Sequence, residues 1–98
     1  MEKNKISIVV PCFNEKEALP LFYNKITQVF NQMSQESKSV GLSYELIIVD
    51  DGSSDGTLDV AKELATNDSD VKYISFSRNF GKEAAMYAGL QHAVGEYV

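Results

Sequence analysis

Apolar runs of strand length alternate along this chain with stretches whose apolar residues repeat at helical spacing. Continuous short apolar runs are typical of strands buried on both faces, whereas repeats of three and four residues predict amphipathic helices. We therefore predict strands at residues 6–10, 45–49, 71–77 and 96–98. Helices are predicted to begin near Leu19, to run from about Thr57 to Asn67, and to follow Gly81.

Proline and glycine positions suggest where these elements begin and end. Pro11 is expected to end the first strand, and Pro20 fits the first turn of a helix, where proline loses no intrahelical hydrogen bond. Residues 37–43 are polar and contain Gly41, which predicts a loop. Gly95 is expected to end the third helix.

The third helix carries small residues at a four-residue repeat, Ala85, Gly89 and Ala93. Such a stripe would let the helix backbone approach a sheet closely. His92 lies beside the stripe and is interpreted as a packed or exposed helix residue rather than as a ligand.

The order β-α-β-α-β-α-β predicts one Rossmann-like α/β domain with a parallel sheet and right-handed crossovers. Ligands of such sheets bind beyond the carboxyl ends of the strands. This rule selects three loops, at Pro11–Glu15, Asp50–Gly56 and Arg78–Lys82, where the polar and glycine residues of the chain gather.

The second loop begins with adjacent carboxylates, Asp50 and Asp51. Such a pair repels itself unless a positive or hydrogen-donating group lies between its members. The N3–H of uracil, ribose hydroxyls or a divalent cation would serve. The following Asp55, Gly56 and Thr57 are explained by a turn that caps the next helix.

The first loop contains Asn14 and Glu15, which either anchor a base or ribose or cap the coming helix; the residues alone leave both open. Cys12 is interpreted as a small buried residue. In the third loop, Arg78 and Lys82 precede a helix N-terminus, an arrangement suited to an anionic ligand. Arg78 could equally pair with the acidic residues of the second loop, and the two roles are compatible.

The net charge of −5 argues against nucleic-acid binding, which needs a basic face. One cysteine excludes an intramolecular disulfide and favours a reducing compartment. The N-terminus lacks the features of a signal peptide, and no apolar run approaches the ~20 residues that span a bilayer. We expect a cytoplasmic location.

Residues 8–15, 48–57 and 88–98 together resemble family 2 glycosyltransferases of the GT-A fold, and residues 77–85 are most similar to the branch that transfers sugars onto polyprenyl phosphate. The resemblance implies that residues 1–98 form the N-terminal nucleotide-sugar-binding part of a GT-A domain. It implies an inverting enzyme that uses Mg²⁺ or Mn²⁺ to stabilise the departing diphosphate. The acceptor would be polyprenyl phosphate or, alternatively, a saccharide of a cell-envelope polysaccharide.

The same resemblance implies that Pro11, Asn14 and Glu15 line the nucleotide pocket and that Asp50 and Asp51 contact the base or ribose, with Asp51 the first choice for the imino hydrogen of uracil. The two cations of the third loop, Arg78 and Lys82, complete the predicted set of nucleotide-sugar-binding residues. The donor would be a UDP-sugar or, second, a GDP-sugar. The family's Asp-x-Asp metal motif, its general base and any membrane helices would follow residue 98. We therefore expect this chain alone to transfer no sugar. Oligomeric state is left open, a homo-oligomer included.

Three other classes share parts of the pattern. A dinucleotide-dependent oxidoreductase needs Gly-x-Gly-x-x-Gly after the first strand, and a nucleotidyltransferase needs a glycine- and lysine-rich loop there. Both are absent. A phosphoryl-accepting receiver module carries its acidic pair after the first strand, whereas in this chain the pair Asp50-Asp51 follows the second.

Overall fold

The computed structural model describes residues 2–35 and 43–97. Strands and helices alternate as predicted, in the order β1 Glu2–Cys12, α1 Ala18–Gln35, β2 Ser43–Asp50, α2 Thr57–Asn67, β3 Val71–Ser75, α3 Lys82–His92 and β4 Gly95–Tyr97. Residues 37–42 of the predicted loop, and Val98 of the predicted last strand, lie outside the described residues.

The described strands form one parallel sheet in the order β3-β2-β1-β4. From β1 the chain moves through β2 to β3 in one direction, and β4 then pairs on the other side of β1. The sheet therefore has a topological switch point between β1 and β4. In open α/β sheets, ligands bind at such a point, beyond the carboxyl ends of the strands.

The core has two layers because β2 is buried on both faces. Leu46 and Ile48 face the layer of α1 and α2. Ile47 and Val49 face the layer of α3, where Ala85 is buried against them. This alternation explains why β2 is a nearly continuous apolar run.

The predicted end of the first strand was wrong. Pro11 lies inside β1, paired in register with Val49, and the strand continues to Cys12. Within the described residues, β4 pairs with β1 only at Glu2 and Ile6. At Pro11, β1 is therefore paired on one side only, a position at which a strand tolerates a residue without an amide hydrogen.

Two other predicted boundaries also differ. β3 ends at Ser75; the amide of Phe76 still donates to the backbone oxygen of Asp50 at 2.9 Å, and the chain bends at Ser77 and Arg78. α3 ends at His92, before Gly95, because Ala93 is already extended (φ −71°, ψ 133°). Gly95 instead begins β4.

The predicted close approach of α3 to the sheet is confirmed at Gly89. A Cβ atom at this position would lie 2.2 Å from Cγ1 of Val9, closer than any real contact. The missing side chain thus lets the α3 backbone lie directly on β1, which determines how deep this helix sits.

Candidate functional site

Asn14 joins the first loop to the second. Its amide donates to Oγ of Ser53 at 2.8 Å, and its side-chain Oδ1 accepts from the amide of Ser54 at 2.9 Å. Asn14 has a positive φ of 55°, a conformation that asparagine adopts more readily than most residues. Asn14 therefore connects the two loops, and its contact with a base or ribose stays a prediction.

Asp55 and Thr57 form a second junction between the same loops. One carboxylate oxygen of Asp55 accepts from the amide and hydroxyl of Thr57, and the other accepts from the amide of Lys16 at 3.2 Å. The hydroxyl of Thr57 in turn accepts from the amide of Glu15 at 2.9 Å. The Thr57 hydrogen bond and the backbone donors outweigh desolvation and lower the pKa of Asp55. Gly56 occupies the N-cap position of α2 without a side-chain cap, so the predicted capping side chain is not found there. Asp55 instead lies just before the cap and joins the first amide of α2 to the residues that precede α1.

Asp51 joins the second loop to the third. It is 3% exposed, and its two carboxylate oxygens accept from the amides of Phe80 at 2.8 Å and Gly81 at 3.0 Å. Gly52 lies so close to the third loop that a Cβ there would be 2.3 Å from the carbonyl carbon of Arg78. Asp51 consequently acts as an acceptor at the beginning of α3, where negative charge is favoured.

Asp50 has a different environment from its neighbour. It is 1% exposed, and no hydrogen-bond donor of the described residues reaches its Oδ1. Asp50 pairs in register with Cys12, at the carboxyl edge of the sheet. A buried polar atom that lacks a partner is rare in native structures and calls for an explanation, of which a bound ligand is one.

A cleft of about 220 Å³ opens at this edge, with residues of all three loops around it. Its lining residues are Pro11, Cys12, Phe13, Glu15, Asp51 and Lys82. Four residues that the sequence singled out, Pro11, Glu15, Asp51 and Lys82, are thus brought together. The cleft lies at the end of β1, beside the switch point.

Cys12 lines this cleft but is itself only 4% exposed, as predicted for a small buried residue. Burial, and then the charges of Glu15 and Asp50, raise the pKa of its thiol to about 11. A thiol with this pKa stays protonated near neutral pH and is a poor nucleophile.

Arg78 lies apart from the acidic pair. Its guanidinium carbon is 4.9 Å from the centre of the Phe80 ring, and it makes no ion pair with Asp50 or Asp51. The pairing considered from sequence is therefore not formed, because backbone amides of the third loop satisfy Asp51 instead. His92 is exposed, with Nδ1 2.8 Å from the Ala88 oxygen, as expected of a helix residue.

One buried polar cluster was not predicted, a fully buried carboxylate near the other end of β2. Glu45 accepts from Oγ of Ser7, Nζ of Lys72 and the amide of Val94. Burial raises the pKa of Glu45, but these donors outweigh it and lower the pKa to about 2. The sequence signal that could have revealed this buried carboxylate is a lone acidic residue directly before the apolar run 46–49.

Across residues 2–35 and 43–97, no three His, Cys, Asp or Glu side chains come together in a way that could hold a metal ion. No helix within these ranges has both the length and the apolar character needed to cross a bilayer.

Comparison with known proteins was decisive for the family. A family profile described as "Glycosyl transferase family 2" matches residues 7–98. The chain belongs to glycosyl transferase family 2. The relationship to the family that the motifs indicated is thereby confirmed, and so is the α/β fold.

Curated relatives of this family 2 chain include bacterial proteins named for lipid-linked sugar transfer. The chain is 45% identical over 94 residues to the "Prophage bactoprenol glucosyl transferase homolog" of Escherichia coli K12, covering 96% of this chain and 28% of that protein. It is 40% identical over 96 residues to the "Undecaprenyl-phosphate 4-deoxy-4-formamido-L-arabinose transferase" of Proteus mirabilis, covering 97% and 27%. The chain thus spans little more than a quarter of the length of these relatives.

A solved structure shares the fold. The mannosyltransferase PcManGT of Pyrobaculum calidifontis, in complex with GDP-Man and Mn²⁺, matches with a TM-score of 0.64 and 24% identity. The match covers 91% of this chain and 24% of the mannosyltransferase. The likeness supports the GT-A architecture of the family 2 chain.

Proposed function

We propose that residues 1–98 bind the nucleoside diphosphate part of a nucleotide-sugar in the cleft, as the donor-binding part of a polyprenyl-phosphate glycosyltransferase. One observation carries the proposal: a buried, unpartnered carboxylate oxygen on Asp50 at the same sheet edge as a cleft lined from three loops. The family membership and the names of the similar relatives support it.

The two carboxylates contribute differently to this binding. Asp50 is 1% exposed and does not itself line the cleft, but its Oδ1 has no donor among the described residues and so keeps an unused acceptor for a base N–H or a ribose hydroxyl. Each oxygen of Asp51 already accepts one amide but keeps a second lone pair, and Asp51 lines the cleft. We propose both as nucleoside acceptors, with Asp51 still the candidate for the imino hydrogen of uracil.

The remaining residues shape the cleft and meet the diphosphate. Pro11 and Glu15 line the cleft directly, and Asn14 contributes by holding the second loop against the first. Lys82 provides a cation at the cleft, and Arg78 provides a second, exposed cation in the same loop. The donor is a UDP-sugar, with a GDP-sugar as the alternative that the ligand of PcManGT suggests.

In the proposed reaction, an oxygen of the acceptor phosphate forms a bond to the anomeric carbon while the bond to the diphosphate oxygen breaks. A phosphate acceptor is already anionic and needs little help from a general base. Mg²⁺ or Mn²⁺ supplies Lewis-acid stabilisation of the leaving diphosphate when bound. The described residues bring no three metal ligands together, so their contribution is to bind and orient the donor. Because Cys12 is a single, unpaired thiol, we place the site on the cytoplasmic side.

A ligand titration tests the proposal. The chain, Asp50→Asn and Asp59→Asn are titrated with UDP and with GDP in the presence of Mn²⁺, and binding is followed by shifts in NMR amide signals. Asp59 is an exposed acidic residue of α2, so its variant matches the change in net charge. Loss of a charged acceptor should weaken UDP binding by roughly tenfold or more in Asp50→Asn alone. Equal affinities in all three proteins, or no shifts around the cleft at millimolar nucleotide, would exclude this site.

A further inference from the structure

Helix α3 is held at both ends by carboxylates at opposite ends of β2. At its beginning, Asp51 accepts from the amides of Phe80 and Gly81. Just after its end, Glu45 accepts from the amide of Val94 at 2.7 Å. The two acceptors are six positions apart along one strand and its continuation.

The distance between these two carboxylates along the strand matches the length of the helix. Six positions of a strand span about 20 Å, given a rise near 3.3 Å per residue. The 11 residues of α3 span about 16 Å at 1.5 Å per residue, and the amides that are held lie just outside them. The helix therefore lies across β1 and β2 and reaches from one carboxylate to the other.

Glu45 is itself held rigidly. Its Oε2 accepts from Ser7 of β1 at 2.5 Å as well as from Val94, and its Oε1 lies 2.7 Å from Nζ of Lys72 on β3. Glu45 is fully buried, whereas the Lys72 side chain is 46% exposed. Both strands that flank β2 thus orient the carboxylate that receives the end of α3.

The face of α3 that meets the sheet is tightly packed. Gly89 lies against Val9 with no room even for a methyl group, and Ala85 is fully buried. Close-packed elements transmit a displacement instead of deforming locally. A shift of the end of α3 is therefore expected to reach its beginning.

We propose that Glu45 is a positioning residue for the cleft: by holding the amide of Val94, it sets where α3 lies along β2. It thereby places Lys82 and the amides of Phe80 and Gly81 at the distant edge of the sheet. The link to nucleotide binding rests on the function proposed above, whereas the positioning of α3 does not.

Residue-resolved amide hydrogen exchange tests the positioning without any ligand. The Glu45→Gln side chain has one acceptor oxygen for the donors that two carboxylate oxygens received, and it loses the ion pair with Lys72. Exchange at Val94, and also at Phe80 and Gly81, should become about fivefold faster than at an internal reference, roughly the effect of one lost hydrogen bond. The reference is the amide of Val60, which donates to the Gly56 oxygen in α2.

Tyr23→Phe is the matched control. It removes the 2.6 Å hydrogen bond from Tyr23 to Asp68, which lies in the layer of α1 and α2 and away from α3. This variant should lower stability without changing the exchange of Phe80 and Gly81 relative to Val60. If Glu45→Gln does not fold, Ser7→Ala removes one donor to Oε2 and is expected to act at the same amides, with a smaller effect.

The outcomes separate the possible roles of Glu45. Exchange could become faster at Val94 while the rates at Phe80 and Gly81, relative to Val60, stay unchanged. Glu45 would then stabilise only its own end of the sheet, which overturns the proposal. Faster exchange at both ends should be accompanied by about fivefold weaker UDP binding; unchanged affinity would overturn the link to the cleft. If the unmodified chain binds no UDP, the proposed function fails while the exchange ratios still decide the positioning of α3.

Discussion

The two ends of β2 carry buried carboxylates in opposite states. At the amino end, the three donors around Glu45 satisfy both of its oxygens. At the carboxyl end, Asp50 is equally buried, yet its Oδ1 receives nothing from the described residues. Since burial of a charge is costly unless it is paired, the first end contributes to stability, whereas the second keeps a hydrogen-bond acceptor that the described residues leave unused.

The largest loss of stability is expected at the amino end of β2, where Glu45 accepts from three donors. Glu45→Ala removes the carboxylate to which the buried Ser7 hydroxyl, the half-buried Val94 amide and Lys72 donate. Loss of one partner of a buried charged network should lower the free energy of unfolding by about 3 kcal/mol. Urea denaturation measures this loss. A change below about 0.5 kcal/mol, typical of surface substitutions, would show that the network contributes little.

Acidification should lower the free energy of unfolding by a comparable amount, because it protonates Glu45. Because the folded-state pKa of Glu45 is about 2, below its ordinary 4.5, its contribution is complete above pH 4.5. It should be lost as pH falls from about 4.5 towards 2, amounting to about 2–3 kcal/mol. Unfolding is followed by urea titration across this range. Glu45→Gln should show a shallower decline, and parallel curves would contradict the assignment. Asp55, whose pKa is also lowered, contributes in the same direction, so both proteins are compared with Asp55 intact.

A smaller loss of stability is expected when Asp51 is substituted. Both of its carboxylate oxygens accept hydrogen bonds, and it lines the cleft at the edge of the sheet. Asp51→Asn keeps one acceptor oxygen and turns an NH₂ group towards an amide donor. The third loop should loosen, at a cost of about 2 kcal/mol. Urea denaturation beside Asp59→Asn, which carries the same charge change on an exposed surface, isolates this effect. Equal stability of the two variants would mean that the Phe80 and Gly81 amides do not depend on the carboxylate.

The smallest effect, with the opposite sign, is expected at Asp50. Asp50→Asn removes a buried charge whose Oδ1 has no donor among the described residues. Stability should stay unchanged or rise by up to about 1 kcal/mol, while UDP binding weakens by roughly tenfold or more. The same urea titration and UDP titration measure both. A destabilisation of more than about 1 kcal/mol would place Asp50 with Glu45, as a structural carboxylate.

Sequence patterns were sufficient for the element order, because apolar periodicity records which faces of each element are buried. They also located the three site loops, since the carboxyl ends of parallel strands share one edge. They misjudged Pro11, because whether a strand tolerates proline depends on which of its sides is paired. Only the family resemblance ranked Asp51 above Asp50; the residue pattern alone could not, since adjacent identical residues differ only in what folds against them.

The sequence by itself determined the fold class, the small-residue face of α3 and the acidic edge of the sheet, all of which are local in the chain. Tertiary structure alone decided which carboxylate is satisfied and which is not. The donors to Glu45 come from Ser7, Lys72 and Val94, and those to Asp51 come from the third loop. Hydrogen bonds act over about 3 Å, so a partner 27 to 49 positions away in the chain is known only once the sheet and its helices have assembled.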